Sequence, residues 1–222
     1  MRRVSARQLV VTFVPAVLIL AAILVMRARY GITTSAMTED ITWTAGVYPL
    51  TGFLSNFGVL LWCATASICA FAAAVLPTTE PRRVFGFLLS SALLSAYLCF
   101  DDLFLIHDDL VERYLGLSET AVFVALGIAL VAYFTAFRKQ IWRTDFSLLL
   151  LALGFFAISL TVDELVIELF PSGHGIHFLE DGTKWLGIVS WCSYFVRTSY
   201  QLVIGPRLHP ASRASEGQDT PS

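Results

Sequence analysis

Residues 84–112 read VFGFLLSSALLSAYLCFDDLFLIHDDLVE. The apolar part, Val84 to Ile106, is long enough to cross a hydrocarbon core and predicts a transmembrane helix. It runs without a break into Asp101, Asp102, His107, Asp108, Asp109 and Glu112. Charges at the end of a membrane-length segment are expensive to place and call for partners. Two later stretches offer them: VDELVIE over residues 162–168 and HGIHFLEDGTK over residues 174–184. The reading of the whole chain follows from bringing these three polar stretches to one side of a bilayer.

The rest of the chain agrees with a membrane origin. Its 56% hydrophobic and 14% charged residues stand against roughly 45–50% and 25% in soluble domains. Besides Val84–Ile106, apolar blocks of membrane length fall at about Leu9–Met26, Gly52–Leu76, Thr120–Phe137, Phe146–Phe170 and Thr183–Ile204. The expected fold class is all-α: a polytopic membrane helix bundle of six transmembrane helices. Residues 1–204 form a single domain in this reading, and the polar, Pro/Ser/Gly-rich residues 205–222 form a disordered cytoplasmic tail. The first block follows Arg2, Arg3 and Arg7 as a signal peptide would, but it is longer than a usual signal core. No small-residue cleavage motif follows it, so it is read as a retained span. Pro15 is expected to kink it.

Six spans place both termini on one side. Arg2, Arg3, Arg7, Arg82, Arg83, Arg138, Lys139, Arg143, Arg197, Arg207 and Arg213 fall on that side, 11 of the 15 Lys and Arg. Lys/Arg excess marks the cytoplasmic face, so both termini are expected in the cytoplasm and the protein in the inner (plasma) membrane. Acids divide the other way, with 13 of 17 outside together with His107, His174 and His177. The positive-inside rule does not demand that, because Asp and Glu weigh little in topology. Some function of the outer face is expected to gather them.

That outer cluster mixes imidazole and carboxylate, the ligand set that suits zinc, manganese or iron better than calcium or magnesium. The expected ligands of a divalent metal ion such as zinc are His107, His174, His177, Asp101, Asp102, Glu180 and Asp181. Glu164 and Glu168, one helical turn apart, are the candidate general bases. The spacing matches no established zinc or di-iron signature. Each group also has a plain structural reading. Asp108, Asp109 and Glu112 suit a solvated surface, and Asp163 and Glu164 suit a span end. Glu180 and Asp181 suit the favourable first turn of the sixth helix, with Lys184 placed to pair with either. Arg197, well inside the last span, suits a side chain reaching for the cytoplasmic interface.

Cys63, Cys69, Cys99 and Cys192 all lie in apolar blocks and form no C-x-x-C, so they are read as buried free thiols. Ala64, Ser67, Ala70 and Ala74 give the second span a small-residue face for close helix packing or for a partner membrane subunit. The connection over residues 27–51 holds Trp43 and Tyr48, interfacial residue types, and is either a lid or a loose surface loop. No basic stripe for nucleic acid is present.

Ser95, Asp101, His107, His174 and His177 are the residue types that membrane hydrolases of the alkaline ceramidase and adiponectin-receptor type gather around zinc. The likeness is one of chemistry alone, since the span number and histidine spacing differ. Three function classes follow. One is a metal-dependent membrane hydrolase, or other metalloenzyme, acting on a lipid-like substrate. Another is a cation- or proton-coupled transporter or channel element. The third is a structural or sensory membrane subunit.

Overall fold

The computed structural model describes residues 6–31, 33, 41–48, 50–77, 81–106, 111, 114, 116, 118–163 and 174–208. Among them every regular element is a helix. The chain divides into two compact units, Met1–Gly52 and Phe53–Ser222. The first unit holds α1 (Ala6–Tyr30) and a short α2 (Ile41–Ala45). Its long helix continues through Pro15 to Tyr30. Val17, Leu18, Ile19, Leu20, Leu24 and Val25 are all exposed on it.

The second unit is built from α3 (Phe53–Val75), α4 (Arg82–Phe104), α5 (Glu119–Ile141), α6 (Ser147–Thr161) and α7 (His174–Leu208). Three of these, α3, α4 and α5, are long and apolar enough to cross a membrane, while α6 is apolar but shorter. Helices this rich in Leu, Ile, Val and Phe have no polar face to turn to water, so an apolar exterior is unavoidable. Leu60 and Phe71 on α3, Leu93 and Phe100 on α4, Ile128 and Val131 on α5, and Leu150 and Leu151 on α6 are exposed. That arrangement suits lipid and not water.

Inside the unit, α3 packs against α4 and α7, and α6 packs against α7. The centre is filled by Trp191, Tyr194 and Phe195 of α7, Phe87 and Leu88 of α4, and Thr65 and Cys69 of α3, each with under 2% of its surface exposed. Polar atoms in this dry centre are paired, as burial requires. The Ser91 hydroxyl donates to the Phe87 carbonyl at 2.7 Å and shares a hydrogen bond with the Tyr133 hydroxyl, also at 2.7 Å. The Trp191 indole N–H donates to Ser95 Oγ at 3.1 Å. The two serines one turn apart on α4 thus bind two different neighbours, α5 and α7.

Glycine permits the closest helix approaches. A Cβ at Gly187 of α7 would stand 2.6 Å from the Phe156 ring of α6, and one at Gly58 of α3 would stand 3.0 Å from Ile188 Cδ1. This corrects the expectation that the small-residue stripe of α3 packs within the chain. Ser67, Ala70 and Ala74 are exposed, and the packed face carries Gly58, Trp62, Thr65, Cys69 and Ala72. A buried indole needs a partner for its N–H, and that need turns Trp62 inward and the alanine stripe outward. The same rotation leaves Cys63 exposed, so only Cys69 and Cys99 are fully buried thiols.

Helix α5 is held differently. Its contacts gather in its second half, where Tyr133 meets Ser91 and Phe87, Phe137 meets Phe87, and Arg83 donates to the Ala136 carbonyl at 2.8 Å. The first half of α5 lines one side of a cavity through Phe123, Leu126 and Leu130.

Two ends of this unit differ in chemistry. At the end where α3 finishes and α4 begins, the α5–α6 turn is tied to α7: Arg197 pairs with Asp145 at 3.1 Å, and the Thr144 and Tyr194 hydroxyls lie 2.9 Å apart. Hydrogen bonds from Ser147, and then the Arg197 charge, hold the Asp145 carboxyl below the usual carboxylate range. Arg197 therefore has an ion-pair partner in the α5–α6 turn. The opposite end carries the acids.

Candidate functional site

Asp102 is the junction of that acidic end. It lies in the last turn of α4, where Leu105 takes a left-handed conformation (φ 50°) and its N–H closes on the Asp101 carbonyl. Left-handed backbone is unfavourable for a leucine. The helix ends at Phe104, two residues past Asp102. One Asp102 oxygen accepts the Trp62 indole N–H at 2.8 Å, and the other faces Lys184 Nζ at 2.9 Å. Three helices, α3, α4 and α7, therefore meet on one carboxylate. The Asp102 side chain is only 12% exposed and that of Lys184 41%. Local spacing favoured Glu180 or Asp181 as the lysine's partner. The direct bond to Asp102 wins because it satisfies a mostly buried carboxylate, which would otherwise bear the full cost of desolvation.

Next to this junction is a cavity of about 350 Å³, within the size range of small-molecule sites. Its walls are apolar. Phe123, Leu126 and Leu130 come from α5, Leu153, Phe156 and Leu160 from α6, Leu98 from α4, and Trp62 and Trp191 from α3 and α7. Its polar lining is Asp101, Asp102, Ser159, Asp163, Glu180 and Lys184. Asp101 is 6% exposed and Ser159 equally buried. The sealed aromatic centre, with Trp191 packed on Phe195 at 5.0 Å between ring centroids, closes it on one side. A second, smaller pocket of about 30 Å³ lies beyond the ion pair and shares Asp102 and Lys184 with the first; Asp181 and Trp185 line it too.

The proposed site residues are thus placed as follows. Asp101, Asp102 and Glu180 border the larger cavity, and Asp181 borders the smaller pocket. Glu180 and Asp181 are not in a first helical turn, because α7 begins at His174, so favourable placement at a helix N-terminus does not account for them. His174 and His177 lie on the opening turns of α7, with His177 one turn ahead of Glu180. His107, Glu164 and Glu168 lie outside the described residues, as do Asp108, Asp109 and Glu112. Among the described residues no group of three or more His, Cys, Asp and Glu side chains stands close enough to hold a metal ion. The acids border a shared space without converging on a point.

Sequence reasoning passed over Trp62, Trp191 and the partnership of Lys184 with Asp102. A signal for Trp62 existed: an indole in the middle of an apolar span needs an acceptor at membrane depth, where acceptors are few.

A family model for a domain of unknown function, DUF8692, matches residues 10–198. The chain belongs to that family. No curated protein and no solved structure matches it.

The junction makes a stability prediction. Lys184→Met leaves the mostly buried Asp102 carboxylate without its counter-charge and is expected to cost about 1–3 kcal/mol, and Asp102→Asn, which strands the partly exposed Lys184, is expected to cost less. The double variant Asp102→Asn/Lys184→Met is expected to recover at least half of that loss, read as thermal unfolding in detergent. Additive losses in the double variant would mean the two side chains do not depend on one another.

Proposed function

We propose that this chain is a multi-pass integral membrane protein that takes up a lipid-like molecule in the cavity between α5, α6 and the core. The chain of the ligand lies among Leu126, Leu130, Phe156 and Leu160, and its headgroup lies at the carboxylates and Lys184. The single observation that carries this reading is the lining of the cavity: apolar along α5 and α6, and charged where Asp101, Asp102, Asp163, Glu180 and Lys184 border it. A ligand that lives in the bilayer reaches such a space sideways, past α5.

In this reading α1 and the segments containing α6 and α7 also cross the inner (plasma) membrane, making six spans. Both termini are cytoplasmic, and the cavity opens toward the outer leaflet. Supporting it is the division of charge along the chain, with the Arg-rich turns at one end of the second unit and the acids at the other. A fluorescent-protein fusion at the C-terminus is expected to be bright and an alkaline phosphatase fusion at the same point inactive. The reverse pattern would invert the topology.

Binding is tested on the tryptophans that line the cavity, Trp62 and Trp191. A brominated single-chain amphiphile, titrated into the reconstituted protein, is expected to quench them saturably. Leu126→Trp, which fills the space, is expected to remove the saturable part while leaving the melting temperature within about two degrees. Equal saturable quenching in both proteins would place the ligand elsewhere.

A second reading, metal-dependent hydrolysis of that same lipid-like molecule, is favoured by one observation: Asp101 and Glu180, from different helices, line the same cavity. A divalent ion there would take its nitrogen ligands from among His107, His174 and His177, and Glu164 or Glu168 would act as general base. Elemental analysis of purified protein is expected to show about one zinc-type ion per chain, lost in His177→Ala. Absence of stoichiometric metal from the unmutated protein after purification without chelators would remove this reading and leave the binding one intact. The sealed aromatic centre beneath the cavity favours either reading over a continuous transport path.

A further inference from the structure

Lysine is rare in this chain. Of its 15 basic residues only Lys139 and Lys184 are lysines, and the rest are arginines. Lys139 is exposed in the last turn of α5. Lys184 is the half-buried partner of Asp102 and borders the apolar cavity. A largely desolvated ion pair is where arginine does better than lysine. Its planar fork holds a carboxylate through two parallel bonds, and its charge is more weakly hydrated. The chain does use arginine to pair with Asp145, through Arg197. Pairing with Asp102 alone therefore does not call for a lysine at residue 184. What lysine has and arginine lacks is an amine that can give up a proton and form a bond to carbon.

The surroundings of that nitrogen suit such a bond. Lys184 Nζ stands 2.9 Å from one Asp102 oxygen, and the Trp62 indole N–H holds the other oxygen at 2.8 Å. The carboxylate is thereby fixed beside the amine, placed to take a proton from it and to return one. Both residues border a cavity whose other walls include Leu126, Leu160, Phe156 and Trp191. An apolar space poor in water protects an imine from hydrolysis.

We infer that Lys184 binds a long-chain aldehyde covalently as a protonated imine, with the hydrocarbon chain in the cavity and Asp102 as counter-ion. The inference rests on the proposed uptake of a lipid-like molecule and names the reacting group of that ligand. In the first step one proton passes from Nζ to Asp102 along their contact. The freed nitrogen lone pair bonds to the aldehyde carbon, and the π pair of the C=O bond moves onto oxygen. A second proton shifts from nitrogen to that oxygen and gives a carbinolamine. Asp102 then returns its proton to the hydroxyl, the C–O bond breaks, and water leaves as the nitrogen lone pair closes the C=N bond. Two of the three ammonium protons end in that water, and the third stays on the iminium. One positive charge faces the Asp102 carboxylate before and after, so attachment leaves the junction's ion pair in place. An ester or other acyl donor would instead turn the amine into a neutral amide and strand Asp102 without its counter-charge.

The test uses full-length protein in bilayer discs. Dodecanal is added, cyanoborohydride fixes any imine as a secondary amine, and the modified lysine is mapped by peptide mass spectrometry. Lys184 is expected to carry the dodecyl mass at about tenfold or more the level of Lys139, although Lys139 is the more exposed, because a chain held in the cavity keeps its carbonyl beside one nitrogen. Excess dodecanol, which occupies the cavity without reacting, is expected to bring Lys184 down to the level of Lys139. Leu126→Trp is expected to do the same. Equal labelling of the two lysines, alongside saturable quenching by the brominated amphiphile, overturns the inference and leaves the cavity reading standing. Preferential labelling of Lys184 that neither dodecanol nor Leu126→Trp reduces puts the reaction outside the cavity and overturns the inference as well. If quenching does not saturate and Lys184 is not labelled, the cavity reading falls and takes the inference with it.

Discussion

A single carboxylate holds the acidic end of the second unit together. Asp102, in the last turn of α4, accepts from Trp62 on α3 and pairs with Lys184 on α7. In an apolar setting each of these three groups is costly alone: an indole N–H with no acceptor, an ammonium with no counter-charge, an aspartate with neither. Joined, they satisfy one another. The penalty for separating them keeps the three helices in register. Lipid cannot do this, because it gives apolar helix faces no reason to prefer one another over the acyl chains around them.

The cavity follows from that junction and from the unequal packing of α5. Trp62, fixed by Asp102, lies on Phe156 at 5.9 Å between ring centroids, and Trp191, fixed by Ser95, packs at 5.8 Å from Trp62. These rings form a rigid inner wall. Across from them, the hydrogen bond and the ring contacts that tie α5 to α4 lie, among the described residues, in its Tyr133–Phe137 half, and Phe123, Leu126 and Leu130 face the cavity. The charged residues lie at its border because α4 ends there and because Asp163, just past α6, and Glu180 and Lys184 of α7 lie at the same end.

The glycines tell the same story from the other side of the unit. Where the helices need to touch, Gly187 lets α7 approach the Phe156 ring and Gly58 lets α3 approach Ile188. Close contact there keeps Phe156 pressed into the cavity wall, so a backbone position with no side chain of its own shapes the site.

Much of this was legible in the chain itself. Apolar blocks of membrane length and the concentration of acids in three stretches are properties of composition and spacing, and no neighbour is needed to read them. Helical structure from Val84 to Phe104 was legible in the same way, because a chain in lipid must satisfy its backbone within itself; that the helix stops there, short of Ile106, was not. Which charges meet was not legible. Lys184 had Glu180 and Asp181 within one turn, and only the packing of α4 beside α7 brought Asp102 closer. Likewise, the alanine stripe of α3 and the inward side of Trp62 compete for one packed face. The sequence contains both, and hydrogen bonding across helices decides between them. A linear chain states what each residue requires; tertiary structure decides which requirements are met together, because partners forty or more positions apart become neighbours only after the helices have packed.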